Sequence, residues 1–452
     1  MADQAALNVT AGNVANQNTP GYTRQVVSWQ QTDAVTLSGQ TYSTGITSTA
    51  VSQRNRILEQ RVQQQTQTQA QSGALESALQ QVQNIFGLTS SATSASLTAL
   101  GSATDAFFNS FSALEANPSD AATRQSVLAA ANNLTSVFNS SANQLQQVTS
   151  GLNQQVSNVV AQINTLTATI ASLNQQIASS GLQGNAGVLE DQRQYAITQL
   201  SQYVGLNQMT TEANGITLTT SNGALLVSGS QSYAMSTTLV AGTAHVLGGG
   251  GAQDVTSGLT GGELGGILEA RDQQLPQYAS ALDNLAYGIG SAVNAQNTLG
   301  TDGNGNPGVA IFSLPPSAAG AAALIQVATS DPQAIAAASP GEGSAGNSNA
   351  IALAGLATTS LVGGQTVTGF LASCLGQIGN YTAGAATDNT VQQATLTQLT
   401  SQRNALSGVS LDEEASNLTQ YQRSYEAAAK VFSIVNTIMA SALNLGVQTT
   451  VS

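Results

Sequence analysis

The chain has 452 residues, ten basic and 23 acidic, a formal net charge of −13, and only 7% charged residues, against roughly 25% in an ordinary globular protein. Apolar content is 41% and aromatic content 4%, so the polar half is amide, hydroxyl and glycine; the length suffices for two or three domains with a sizeable core. Lys430 is the only lysine and Cys374 the only cysteine, which excludes a phosphate-binding nucleic-acid protein, an intrachain disulfide and a cysteine-rich zinc site.

The N-terminal run MADQAALNVTAGNVANQNTPGY lacks the basic start and apolar core of a cleaved secretory signal. No run approaches the 18 apolar residues of a membrane span, so no membrane insertion is expected, and any export would use a route without such a signal. Residues Gln53 to Phe86 carry Ile57, Leu58, Val62, Leu75, Leu79, Val82 and Phe86 at helical spacing and are a candidate partner for the next segment. From Gln125 to Leu189 there is no charged residue, yet Leu145, Leu152, Val159, Leu166 and Leu173 form one heptad column and Val156, Ile163, Ile170 and Ile177 another. This predicts a helix over about 126–179. Its flanks are Gln, Asn, Thr and Val rather than the Glu/Lys of a partner-selecting zipper, so the expected packing is antiparallel against helices of its own chain.

After Gly205, Ile216 and Leu218 alternate with threonines, turn through Ser221-Asn222-Gly223 and continue into Leu225 and Val227. That is a β-hairpin, inside a small β-rich insertion expected over 206–260. Helical periodicity resumes at ILEARDQQLPQYASALDNLAYGIGSAVNAQN and yields to an irregular Gly/Pro/Ala-rich stretch over 301–349. The last segment is helical again, interrupted near Ser407-Gly408.

Ser410 and Glu413 stand at capping-box spacing, and Asp412, Glu413 and Glu414 crowd a first turn where the helix dipole favours negative charge. Capping is the expected role of all three. Leu411, Leu418, Tyr425, Phe432 and Met439 then recur every seventh residue, with Tyr421, Ala428, Val435 and Ala442 on the same face. A stripe of this length must be covered by something. The only other segment of like character is residues 2–16, which predicts that the two chain ends meet.

Catalytic signals are poor. A Ser-His-Asp site would have to use His245, placed among strand and turn signals, and reads as an incidental strand histidine. Cys374, among apolar helical neighbours, reads as a small core residue. Gly303 to Gly308 matches G-x-G-x-x-G without the preceding strand and following helix, so it is a turn. The overlapping Asp302 loop has Pro307 where a calcium loop needs glycine and Ser313 where it needs glutamate. No enzyme activity, cofactor or metal is expected.

The run ALNVTAGNVANQNTPGYTRQ, with Asn13, Ala15, Asn16, Asn18, Thr19, Pro20, Gly21 and Tyr22 at its core, resembles the N-terminal signature of the bacterial flagellar axial proteins of rod, hook and hook-associated type. The C-terminal run SGVSLDEEASNLTQYQRSYEAAAKVFSIVNTIMASALNLG is similar to the same family, and its LDEE start with Tyr421-Gln422 and Tyr425 looks most like the members that join hook to filament. LEDQRQYAITQLSQYVGLN and GGELGGILEARDQQLPQYASALDNLAYGIGSAVNAQN match segments flanking that family's β-rich insertion.

The resemblance implies a self-associating structural protein of the hook–filament junction, needed for filament assembly. It would be exported through the flagellar type III apparatus to the extracellular flagellum with the help of an export chaperone. Its neighbours would be a ring of its own copies, the hook protein and the second junction protein.

The expected fold class is mainly α: a long antiparallel helical bundle and coiled-coil terminal helices, with a small β-rich inserted domain. The domains expected are 1–25 with 408–452 as an inner terminal unit, 26–205 with 261–407 as the helical bundle, and 206–260 as the insertion. Family members carry several more helical turns ahead of the ALNVT run and a longer outer part, so a shortened N-terminal helix and a reduced outermost domain are expected. The packing residues carried by the resemblance and the stripe are Asn13, Asn16, Asn18, Pro20, Gly21, Tyr22, Leu411, Leu418, Tyr421, Tyr425, Ala428, Phe432, Val435 and Met439. A hook or rod protein of the same family, a secreted adhesin using the β insertion and a cell-wall hydrolase are the alternatives. The last would need two positioned carboxylates in a cleft.

Overall fold

The computed structural model describes residues 2–31, 34–37, 40–43, 46–88, 98–180, 186–210, 216–251 and 253–448. A first helix, α1 (Ala2–Asn16), leads into strands β1 (Gln25–Gln31), β2 (Ala34–Leu37), β3 (Gln40–Ser43) and β4 (Ile46–Ser52). β1 pairs antiparallel with β4, from Gln25 opposite Ser52 to Gln31 opposite Ile46, and β2 pairs with β3. Residues 26–31, 34–37, 40–43 and 46–52, grouped with the helical bundle from sequence, are therefore strands. QVVSWQQ and ITSTAVS are rich in Val, Ile, Thr and Trp, whose branched or aromatic side chains suit a pleated surface better than a helix.

The body follows: α2 (Arg56–Ile85), α3 (Ala99–Ala116), α4 (Ala121–Ser180) and α5 (Ala186–Tyr203). The spine is α4, 60 residues long and so roughly 90 Å. It starts five residues earlier than the heptads predict because Asp120 caps it, accepting from the backbone N–H of Ala122 at 3.1 Å and of Thr123 at 3.3 Å. Both heptad columns are buried, except Leu166, which packs partly covered against the core. They face α3, α5 and the strands of the same chain, so this helix is a bundle element and not a zipper. The candidate partner segment, however, packs mainly elsewhere. α2 touches α4, but its most extensive contact is with the later α10, and Ile57 is left exposed.

Strands β5 (Leu206–Thr210), β6 (Ile216–Thr220), β7 (Leu225–Ser228) and β8 (Gln231–Ser232) form one antiparallel sheet in chain order, followed by the hairpin β9 (Ser236–Val240) and β10 (Thr243–Leu247). The predicted turn sits between β6 and β7, with Gly223 at φ +88°, a conformation that favours glycine. Three asparagines of α4 peg these strands to it. Asn153 donates to Gly242 O and accepts from Ala244 N; Asn164 bonds both polar backbone atoms of Met235; Asn174 donates to Ile216 O and Gly229 O. The stretch of α4 after Arg124 carries no charge and satisfies these buried strand ends with amides.

Helices α6 (Gly262–Glu269) and α7 (Leu275–Thr298) are joined through a π-helical turn at Ala270–Gln274, ahead of Pro276. The Gly/Pro/Ala-rich stretch then holds only short elements: β11 (Phe312–Ser313), α8 (Ala321–Leu324), β12 (Gln326–Val327) and α9 (Ser348–Gly355). It is nonetheless packed. Asn297, fully buried, donates to Val309 O and Ala334 O and accepts from Ala336 N, substituting for ladder bonds. Residues 302–306 are a turn in which Asp302 Oδ1 accepts from the backbone N–H groups of Asn304 and Asn306.

After the short strands β13 (Ser360–Val362) and β14 (Gln365–Thr366), the chain closes with α10 (Val367–Ser407) and α11 (Leu411–Gln448). The break falls at Gly408, as the sequence predicts, and α11 starts at Leu411, also as predicted. α10 runs antiparallel to α2 along a ladder of amides, Gln65 to Gln392 at 2.7 Å and Gln69 to Asn389 at 3.1 Å. The expected fold class is the observed one: mainly helical, with few and short strands.

Candidate functional site

The two chain ends meet. α1 runs antiparallel to the first turns of α11, with Asn13 beside Glu414 and Asp3 beside Ser424. The segment after α1 is shaped by its motif. Asn16 O accepts from Thr19 N at 2.9 Å and Thr19 O from Tyr22 N at 3.1 Å, a double turn that returns the chain alongside its own helix. Gly21 is required there. Its φ is +80°, and a Cβ would stand 2.7 Å from Tyr195 Cβ on α5. Asn16 closes the helix end by donating to Gly12 O at 2.9 Å and accepting from Thr19 Oγ1 at 3.3 Å, while Asn18 and Pro20 are exposed.

Around this turn lies a polar clasp. Asn13, 1% exposed, donates to Gln25 O at 2.8 Å and to Glu414 Oε2 at 3.1 Å; its own oxygen accepts from Tyr22 Oη at 2.9 Å and Gln25 N at 3.0 Å. Arg24 Nε meets Glu414 Oε1 at 2.7 Å and its Nη1 meets Glu413 Oε1 at 2.9 Å. Asp191 of α5 accepts from Thr23 N at 3.0 Å and pairs with Arg54. α1, the turn, α5 and the start of α11 are thereby held at one point.

The acidic triplet corrects the sequence reading. Glu414 is buried and Glu413 reaches across to Arg24, so two of the three carboxylates assigned to capping bind the other end of the chain. The signal that could have found this is Arg24, the only cation in the first 53 residues, which a sparsely charged chain would keep only beside a counter-charge. Burial, followed by the nearby Asp191 and Glu414 charges, pushes the Tyr22 phenol up to about 12. Burial also raises Asp191 above the ordinary carboxylate range, against the Thr23 N–H and Arg54. Arg24 is held protonated by its hydrogen bonds to Glu414 and Glu413 despite its burial.

Beyond Tyr421, α11 is bare as far as Leu443. Leu418 and Tyr421 are half-buried against α1, whereas Leu411, Tyr425, Ala428, Val435, Phe432 at 73% exposure and Met439 at 58% face outward. Ile434, Ile438 and Leu443 widen the exposed stripe. By length and composition alone, part of the helical stretch Val367–Leu443 is apolar enough to cross a membrane, and that part has no buried residue. It holds no unbroken apolar run, because polar residues such as Lys430 and Asn436 punctuate the stripe.

The other groups singled out from sequence lie elsewhere. His245 on β10 pairs with Asp254 at 2.6 Å; hydrogen bonds from Thr256, then from His245, hold Asp254 down to about 2. Burial pushes the Cys374 thiol up to about 11, so it is no thiolate nucleophile. Among the described residues no group of His, Cys, Asp and Glu is arranged to hold a metal ion.

Two distant chain ends locked to each other, a long helical body and an uncovered apolar stripe define a structural subunit. The family model for the flagellar hook-associated protein FlgK helical domain matches residues 79–312; those for the flagellar basal body rod protein and the rod FlgEFG protein C-terminal region match residues 1–23 and 401–445. The chain is 28% identical to flagellar hook-associated protein 1 of Escherichia coli (strain K12), over 98% of this chain and 97% of that one. To the Bacillus subtilis (strain 168) protein of that name it is 29% identical, over 98% and 96%. The solved flagellar hook junction protein FlgK of Burkholderia pseudomallei shares the fold, with TM-score 0.70 and 20% identity, over 77% of this chain and all of that one.

The chain belongs to the flagellar hook-associated protein family. Its role is the structural one of that family, at the junction of flagellar hook and filament.

Proposed function

We propose that the chain acts by self-association: copies join through α1 and α11, and the assembled ring supports filament growth. The observation that carries this is the exposed stripe from Tyr425 to Leu443. Left in water it would forgo about 25 cal/mol for each Å² of apolar surface that burial removes, and a neighbouring copy's terminal helices supply such a cover. On this reading residues 1–25 and 408–452 form the inner terminal unit, 26–205 and 261–407 the body, and 206–260 an outward insertion. The strands β1 to β4 would link body and inner unit.

Neighbours on either side would be the hook protein and the second junction protein. Before assembly an export chaperone would cover the stripe, and the protein would leave the cell through the flagellar export route without a cleaved signal.

The test is complementation in cells lacking their own junction protein. Filaments attached to hooks are expected with the intact chain. A chain with Phe432 and Met439 both changed to Ser should leave filament protein in the medium, although it is exported and folded; attached filaments with that variant would overturn the reading.

A further inference from the structure

Where glycine follows asparagine, a backbone can attack its own side chain, because the glycine nitrogen reaches the asparagine Cγ with no Cβ in the way. Asparagine is a thermolabile residue for this reason. The sequence holds three such pairs, Asn214-Gly215, Asn222-Gly223 and Asn304-Gly305. The first lies outside the described residues, and the other two form a matched comparison. Both occupy the same place in a turn: Gly223 N donates to Thr220 O at 2.9 Å, and Gly305 N to Asp302 O at 3.2 Å. Each glycine holds a left-handed φ, +88° and +83°, and all four residues are exposed.

The side chains differ. Asn222 Oδ1 accepts from Thr220 Oγ1, and its Nδ2 donates to Val255 O at 3.0 Å. A Cβ at Gly258 would stand 2.7 Å from that nitrogen, so the amide is clamped between two segments. Asn304 has its backbone fixed, its N–H donating to Asp302 Oδ1 at 2.8 Å, but its side chain makes no hydrogen bond among the described residues. It stands between Gly303 and Gly305, which have no side chains to crowd it. One amide must therefore break two hydrogen bonds before it can turn toward the next nitrogen, and the other breaks none.

We propose that Asn304 is a site of spontaneous modification, converting to aspartyl and isoaspartyl links in the folded protein while Asn222 is spared. Gly305 N bonds to Asn304 Cγ, the C–N bond of the side-chain amide breaks, and its nitrogen leaves as ammonia with the proton that Gly305 gives up. Water then opens the succinimide at either carbonyl. Water is the one co-reactant, and nothing is oxidised or reduced. Either product places a second carboxylate beside Asp302. The isoaspartyl one also lengthens the main chain by a carbon inside the turn where Asp302 holds the N–H groups of Asn304 and Asn306. That turn is fastened to the following stretch through Gly303 N to Gln333 O at 2.8 Å and Thr301 N to Ala338 O at 2.7 Å. The modification would thus loosen this part of the body as the molecule ages, and it does not rest on the self-association proposed above.

The full chain is kept for weeks in mildly alkaline buffer, folded in one sample and unfolded in guanidinium chloride in another. Mass spectrometry of its peptides reads the exchange of amide for acid, and chromatography separates the aspartyl from the isoaspartyl product. In the folded chain the Asn304 peptide should convert at least about tenfold faster than the Asn222 peptide, from the usual worth of two hydrogen bonds. In the unfolded chain, where neither turn exists, the two rates should be alike. A folded ratio of about one or less overturns the proposal, and so does a folded chain in which neither peptide converts while both do when unfolded. The same preference for Asn304 in the unfolded chain also overturns it, since local sequence and not the hold of Thr220 and Val255 on Asn222 would then be the cause.

Discussion

α4 and α11 are both long helices with apolar residues at heptad spacing, and they meet opposite fates. Every member of the α4 columns but the partly covered Leu166 is buried by its own chain, with asparagines pegging the strands beside it. α11 is covered only where α1 reaches it, and from Tyr425 onward its stripe lies open. Periodicity alone therefore does not distinguish a core from an interface. What differs is the supply of neighbours: α4 has helices and strands on several sides, whereas α11 stands past the end of the body.

The sharpest way to break this contrast is a matched pair of truncations. Ile163→Ala in α4 should cost about 2 to 5 kcal/mol in denaturant unfolding, because a fully buried side chain is lost from a close-packed core. Phe432→Ala in the isolated chain should change stability by less than about 0.5 kcal/mol and yet abolish polymerisation. A Phe432 effect of core size in the monomer would show that α11 is docked after all.

The clasp lies between these extremes. Glu414→Ala leaves Arg24 and Asn13 without their buried partner and should cost about 2 kcal/mol, the partial exposure of Arg24 reducing the full penalty of a broken buried pair. The loss should be read in faster amide exchange of residues 2–25 before any change in α4. Smaller again is Gly21→Ala, where a left-handed φ and the contact with Tyr195 together cost about 1 to 2 kcal/mol, seen as a lower melting temperature.

The subtlest test is titration. A phenol whose folded value is raised stabilises the fold fully below its unfolded value of about 10, and that contribution fades as pH rises through about 12. Absorbance difference spectra between the wild type and Tyr22→Phe should therefore show the missing phenol titrating near the upper end of that window. Titration of this phenol near the ordinary value would mean that the clasp is open in solution.

Much of this arrangement was legible in the residues. The α4 heptads, the 216–228 hairpin, the break at Gly408, the start at Leu411 and the meeting of the ends all follow from period, turn chemistry and an unmatched stripe. Three things did not. Strands β1 and β4 alternate too weakly to announce themselves, because Gln and Ser interrupt their branched residues and none of their described side chains is buried. The α2–α10 pairing rests on amides 320 or more residues apart, which leave no periodic trace. The clasp was hidden because Glu413 and Glu414 satisfy the rules for a helix start so well that a second use went unseen. Nothing local says that a first-turn carboxylate points to a residue 390 positions away.

The asparagine pegs along α4 carry a consequence for the environment the protein tolerates. Neutral dipoles give dissolved ions almost nothing to screen, and the guanidinium groups of Arg271 and Arg193 that reach Asn153 and Asn174 are buried away from them, so the joint between spine and strands should keep its shape from fresh water to brine. Sensitivity to salinity would then concentrate at the guanidinium and carboxylate groups where the two ends of the chain are fastened.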